Sequence, residues 1–184
     1  MSVQLAKFTV EQYHRMIEAG VFPPEYRAEL IEGEIIEMSP IGPRHASCVS
    51  RLTQMLTLLL QRAAIVWVQN PIQLDDLSEP EPGVCVLRPR ADFYAESLPT
   101  PADALLVIEV SETTLDYDRQ KKLPLYAGAG VAEVWIVSLA DNRIETHAGL
   151  SGGAYRAAGV AGRGEELGSR SVPNLSLDVS SILG

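Results

Sequence analysis

Residues 104–110 read Ala-Leu-Leu-Val-Ile-Glu-Val, an apolar run with the length and β-branched content of a buried strand, and one carboxylate, Glu109, stands near its end. Burying that carboxylate costs several kcal/mol unless a cation, a metal or hydrogen-bond donors compensate it. A charge at the end of a core strand therefore asks for a partner. Lys121 and Lys122 follow shortly, on what reads as the next helix.

The segments on either side give this strand its company. Thr9 to Gln12 has the form of a capping box, with Tyr13, Met16 and Ile17 as an apolar stripe, so a short helix is expected to end at Gly20. Ala28 to Met38 reads as two strands joined by a tight Glu-Gly turn. From about His45 to Ala63, Val49, Leu52, Met55, Leu56, Leu59 and Leu60 recur at helical spacing.

Strands are then expected near 65–69, around 72–74 and over 84–87, with an acidic, proline-rich loop at 75–82 that could rim a site. A helix is expected over 118–129. Pro124 inside it removes the amide that would bond Gln120, so the helix either starts close to Arg119 or is kinked. Val134 to Val137 reads as a buried strand with a hairpin partner over 144–147, 149–168 as loose glycine-rich hairpins, and 179–183 as a terminal helical turn. The sum is one α/β (α+β) domain over 1–184, a mixed central sheet flanked by helices with an N-terminal helix and hairpin extension. Its core is expected at about 25–147, with 148–184 peripheral.

Composition narrows the function classes. A chain of 184 residues, 46% hydrophobic and 21% charged, can bury a sizeable core. No apolar stretch is long enough to span a membrane and residues 1–7 lack an apolar signal region, so a cytoplasmic protein with no membrane partner is expected. Cys48 and Cys85 lie on apolar elements and read as reduced core thiols. The net charge of −9 argues against gripping nucleic acid by bulk charge, although Arg88, Arg90, Arg119, Lys121 and Lys122 could form a local basic strip.

Glu109 with a nearby lysine is the smallest set that holds a divalent metal and polarises a water. The plainer reading is a strand-end glutamate satisfied by arginine or a helix N-terminus. Lys122 could serve a water and stabilise charge building on a phosphate, or form an ordinary helix pair with Asp118. Glu29 in the N-terminal hairpin reads first as a solvated strand charge. His45 stands where an imidazole could meet phosphate, and helix entry alone would also explain it. Ser111 and Thr113 read as caps or turn residues. No serine-triad, Walker or dinucleotide signature is present.

Several segments in order, Ala28 to Pro40, then His45, Val107 to Ser111, Asp118-Arg119 with Lys122 to Ala127, and Glu133 to Val137, resemble a known family. The chain is similar to the small stand-alone bacterial restriction-endonuclease-type proteins of the PD-(D/E)XK nuclease superfamily, over nearly its whole length to about residue 147. The resemblance implies a restriction-endonuclease-like fold and Mg²⁺- or Mn²⁺-dependent hydrolysis of phosphodiester bonds, with DNA as partner and a homodimer as one possible assembly. It implies catalytic roles for Glu109, Lys122 and Glu29, with Ser111 standing where the superfamily lysine normally falls, and substrate contact for His45 and Ser111.

One position departs from the pattern. The family's Pro-Asp is here Pro82-Gly83, so the aspartate that bridges metal and phosphate is absent. Glu81, two residues earlier and on the same face of an extended chain, is the candidate substitute that would join Glu109 on the metal. Two further readings follow: a catalytically inactive relative that keeps the fold as a binding or regulatory module, and a protein- or small-molecule-binding domain.

Overall fold

The computed structural model describes residues 5–184; the first four residues, part of the segment inspected above for a signal, lie outside the described residues. Helix α1 (Val10–Glu18) starts on the expected capping box, with the Thr9 hydroxyl accepting from the Gln12 amide and the Gln12 side chain accepting from the Thr9 amide. Strands β1 (Ala28–Ile31) and β2 (Glu34–Glu37) pair as the expected hairpin. They form a two-stranded sheet of their own rather than extending the central one.

Helix α2 (Pro43–Leu60) begins two residues before His45, with Pro43 at its first turn, where a missing amide costs nothing. The central sheet follows: β3 (Ile65–Val68), β4 (Val84–Leu87), β5 (Ala104–Ser111), β6 (Val134–Ser138), β7 (Arg143–Ser151) and β8 (Ala154–Gly162), in that spatial order. Only β5 and β6 run parallel within it, because a helical crossover joins them and the other neighbours are antiparallel. Both faces of this mixed sheet are covered. Leu52 and Leu56 of α2 pack with Val86, Ile108 and Trp135 on one face; Tyr126 packs with Cys85, Val107 and Ile136 on the other. Cys48 and Cys85 are buried and free.

Three local expectations need correction. Residues 72–74 form no strand: Ile72 and Leu74 are buried, but their amides bond only the carbonyls of Pro80 and Ser78. Pro80 opposite Ile72 has no N–H to return, so the ladder is interrupted there. The tract 149–168 is mostly the regular β7–β8 hairpin, closed by Gly152-Gly153 with φ of 59° and 70°, the left-handed pair that a tight two-residue turn requires. The C-terminal segment is not peripheral packing. After the short pair β9 (Glu166–Gly168) and β10 (Ser176–Asp178), helix α5 (Val179–Leu183) places Val179, Ile182 and Leu183 in the same core cluster as α2.

The crossover after β5 is where the fold shapes the site. Helix α3 (Leu115–Tyr117) runs through a π-helical segment, Asp118–Lys122, into α4 (Leu123–Ala129). The Leu123 amide donates to the Asp118 carbonyl, five residues back. That wider turn answers the difficulty posed by Pro124: where the proline can neither bond Gln120 nor tolerate its carbonyl close by, a π-turn makes room without ending the helix. The helix also begins earlier than expected, at Leu115 rather than Asp118. Among the described residues no helix is long and apolar enough to cross a membrane.

Candidate active site

Glu109 is 5% exposed, near the end of β5, and its partner is Lys122, 4% exposed on the π-helical segment. The lysine Nζ lies 3.0 Å from Glu109 Oε1 and 2.9 Å from Oε2 of Glu29, itself 4% exposed. Glu29 is thus no solvated strand charge. The 75–82 loop laces the β1–β2 hairpin onto the sheet, through Glu79 N–H to Leu30 and Gly33 N–H to Leu77, and so drives Glu29 inward. The Glu81 amide also donates to Glu29 Oε2.

A second donor reaches the same oxygen: the Tyr126 hydroxyl, fully buried one turn beyond Lys122, donates to Glu109 Oε1 at 2.6 Å. Asp118 is buried alongside, accepting from Ser111 Oγ at 2.6 Å and Thr114 Oγ1 at 2.9 Å. Ser111 therefore holds Asp118 rather than facing solvent. The alternative helix pair of Lys122 with Asp118 gives way to the two glutamates, because the π-turn changes the angular spacing of residues 118 and 122.

The charges respond to this burial. Desolvation by itself would depress the Lys122 pKa, but the negative charges of Glu109, Glu29 and Asp118 outweigh it and hold the ammonium above the usual lysine range. Lys122 is consequently a charged donor and not a free base. Burial pushes Glu29 up against the opposing pull of Lys122, and burial followed by the charge of Glu109 pushes Asp118 up to about 6. Tyr126 is raised by burial and by Glu109.

These groups open onto a cleft of about 250 Å³ whose wall also carries His45, Glu81, Gly83 and Arg27. His45 is half-buried near the start of α2, and desolvation lowers its pKa, which keeps the imidazole neutral at pH 7. Its Nδ1 and the Tyr117 hydroxyl are buried polar atoms without a partner among the described residues, both on side chains lining this cleft. Glu81 does reach the cleft, but Arg27 holds its Oε2 at 2.9 Å. Gly83 directly precedes β4, whose first residue pairs with Ile108. A Cβ at position 83 would lie 3.2 Å from the Ile108 carbonyl oxygen and 3.4 Å from the Val110 amide nitrogen, the peptide groups flanking Glu109. A side chain at 83 would thus stand beside Glu109. The expected basic strip does not assemble intact: Arg90 is held by Asp92, Arg119 by Glu145, and Lys122 is buried, while Arg88, bonded to the Ala102 carbonyl, and Lys121 are exposed.

A family model described as "Putative restriction endonuclease", Uma2, matches residues 10–180. The chain belongs to the Uma2 family. That match reaches past residue 147 into α5, in accord with the core role of the C-terminal segment. Among solved structures, the crystal structure of a putative nuclease of the DUF820 group from Anabaena variabilis is similar, with a TM-score of 0.72 and 15% identity over 96% of this chain and 97% of that one. At that identity the likeness establishes a shared fold. No curated protein matches the chain.

The residues present do not suit a resident Mg²⁺. Glu29 and Glu109 converge on an ammonium at 2.9 and 3.0 Å, whereas Mg²⁺ requires oxygens at about 2.0–2.1 Å. Glu81 is committed to Arg27, Gly83 has no ligand atom, and among the described residues no group of three or more His, Cys, Asp or Glu side chains is placed to hold a metal. Tyr126, Asp118 and Arg27 are the site groups that sequence reading missed. Tyr126 follows Lys122 by four residues, a helical neighbour spacing that was there to be used.

Proposed function

We propose that this Uma2 chain is a nuclease-type protein whose cleft, built on Glu29, Glu109 and Lys122, engages the phosphodiester backbone of DNA, and that glycine at position 83 leaves its hydrolysis far below what the fold can deliver. The observation that carries the proposal is the placement of Gly83 beside Glu109 in a cleft that also gathers Glu29, Lys122 and His45. Lys122 supplies positive charge at the base of the cleft, with two of its three donors bound to carboxylates. Glu109 is oriented by Tyr126 and Lys122, and neutral His45 can meet a phosphate oxygen from the cleft wall.

A second reading, a nuclease-fold binding module without catalysis, is favoured by the charge balance: two carboxylates outweigh the buried lysine, leaving no net positive charge for a transition state. Supercoiled plasmid, a linear duplex and single-stranded DNA incubated with the chain and Mn²⁺, beside Glu109→Ala, decide between them. Slow nicking that Glu109→Ala abolishes supports the nuclease. Retention of DNA with no cleavage, equally in both proteins, supports the binding module; neither retention nor cleavage sinks both.

A further inference from the structure

The buried ammonium of Lys122 stands where two carboxylates from separate parts of the chain meet. Glu29 comes from the β1–β2 hairpin and Glu109 from the central sheet, and the same nitrogen lies 2.9 and 3.0 Å from their oxygens. A cation so placed does for this pair what a metal ion does elsewhere: it cancels carboxylate repulsion and ties two elements together. The other basic group at the cleft, Arg27, is spent on Glu81.

We infer that Lys122 is the resident counter-cation of this cleft, so that a divalent ion is excluded from Glu109 until Lys122 loses its charge or a carboxylate is added at position 83. Two physical conditions separate the present site from a metal site. The ammonium already offsets half of the charge that would attract a divalent ion to Glu29 and Glu109, and it occupies the point where their oxygens converge. Position 83 is the other condition. A Cβ there meets the Ile108 carbonyl oxygen and the Val110 Cγ2 at 3.2 and 3.3 Å, so β5 must give by a few tenths of an ångström to admit a side chain, and the glycine's φ lies outside the left-handed region. An aspartate accommodated in that way stands beside Glu109 and adds to a negative charge that Lys122 balances only in part.

The inference concerns the same cleft as the proposed function and rests on that reading for the choice of ion, but its test reads metal binding and not cleavage. Mn²⁺ is titrated into the full chain and into Gly83→Asp, Lys122→Met and Glu109→Ala, followed by electron paramagnetic resonance of the free ion, with thermal melting in parallel. The unmodified chain should bind Mn²⁺ no more tightly than Glu109→Ala. Gly83→Asp and Lys122→Met should each tighten binding at least about tenfold, and Mn²⁺ should raise the melting temperature of Lys122→Met more than that of the unmodified chain. If Lys122→Met folds only when Mn²⁺ is added, that too supports the inference, since the metal then replaces the missing ammonium. Saturable binding by the unmodified chain that Glu109→Ala abolishes overturns it, as does a folded Lys122→Met with no gain. Gly83→Asp that binds Mn²⁺ and cuts no DNA would instead overturn the proposed function and leave this inference standing.

Discussion

Replacing Lys122 with methionine removes the cation shared by Glu29 and Glu109 while keeping a flexible apolar stem of similar length. At an effective dielectric near 20, contacts of 2.9 and 3.0 Å each carry roughly 5–6 kcal/mol of gross attraction. Desolvation of three charged groups offsets most of that, so the intact triad contributes little net stability. Truncation behaves differently. Methionine leaves two buried carboxylates facing each other without a counter-charge, and such a loss costs about 3–5 kcal/mol, a large share of a typical domain's total of about 5–15 kcal/mol.

Urea denaturation at neutral pH should show that deficit, and the pH dependence gives it a signature. Lys122 is held above the lysine range, so its contribution is fully present well below that range and is lost only as pH rises through the folded value. In the variant nothing offsets the burial that already pushes Glu29 up; a raised carboxylate pKa favours the fold at low pH and ceases to do so as pH climbs through it. The deficit should therefore narrow on acidification. The neutral triple variant Glu29→Gln, Glu109→Gln, Lys122→Met should recover most of the loss. A deficit under about 1 kcal/mol at neutral pH, or one that widens toward acid, would refute the reasoning.

Tyr126→Phe removes a buried hydrogen bond to a charged acceptor and should cost roughly 1.5–3 kcal/mol in urea denaturation; unchanged stability would show that the hydroxyl does not hold Glu109. Asp118, raised to about 6 against an ordinary 3.8, contributes stability below the lower value that is lost as pH passes the higher. Asp118→Asn should accordingly gain on the unmodified chain by up to roughly 3 kcal/mol between acid and neutral pH, and a constant difference across that window would contradict the assignment. Glu133→Ala strips the acceptor shared by the Trp135 indole, the Ser169 hydroxyl and the amides of Arg170 and Ser171. It should cost roughly 3 kcal/mol and open the 169–172 segment to limited proteolysis, whereas an uncleaved variant would point to other restraints there.

Much of the architecture was legible because local signals and tertiary demands agree. The capping box at Thr9, the α2 stripe and the apolar run of β5 each emerged as the elements their patterns describe. Glu109 was legible for a different reason, as an acid that violates the pattern of its own strand. Pro124 announced a distortion but not its form, since whether a helix breaks, kinks or widens is decided by what the widened turn brings together, here Lys122 and Glu29. Residues 72–74 looked like a strand by side chains alone; the missing return amide at Pro80, opposite Ile72, is a property of the pairing partner. Glu29 and the Arg27–Glu81 pair were hidden because the 75–82 loop, not the hairpin's own alternation, determines what is buried there.

Glycine at position 83 is proposed to separate this cleft from an efficient nuclease. Single-turnover cleavage of supercoiled plasmid in Mn²⁺ tests it, comparing the unmodified chain, Gly83→Asp, and Gly83→Asp combined with Glu109→Ala. Gly83→Asp should cut at least about tenfold faster than the unmodified chain, and adding Glu109→Ala should abolish the gain. Equal rates in a folded Gly83→Asp protein, or a gain that survives loss of Glu109, would contradict it.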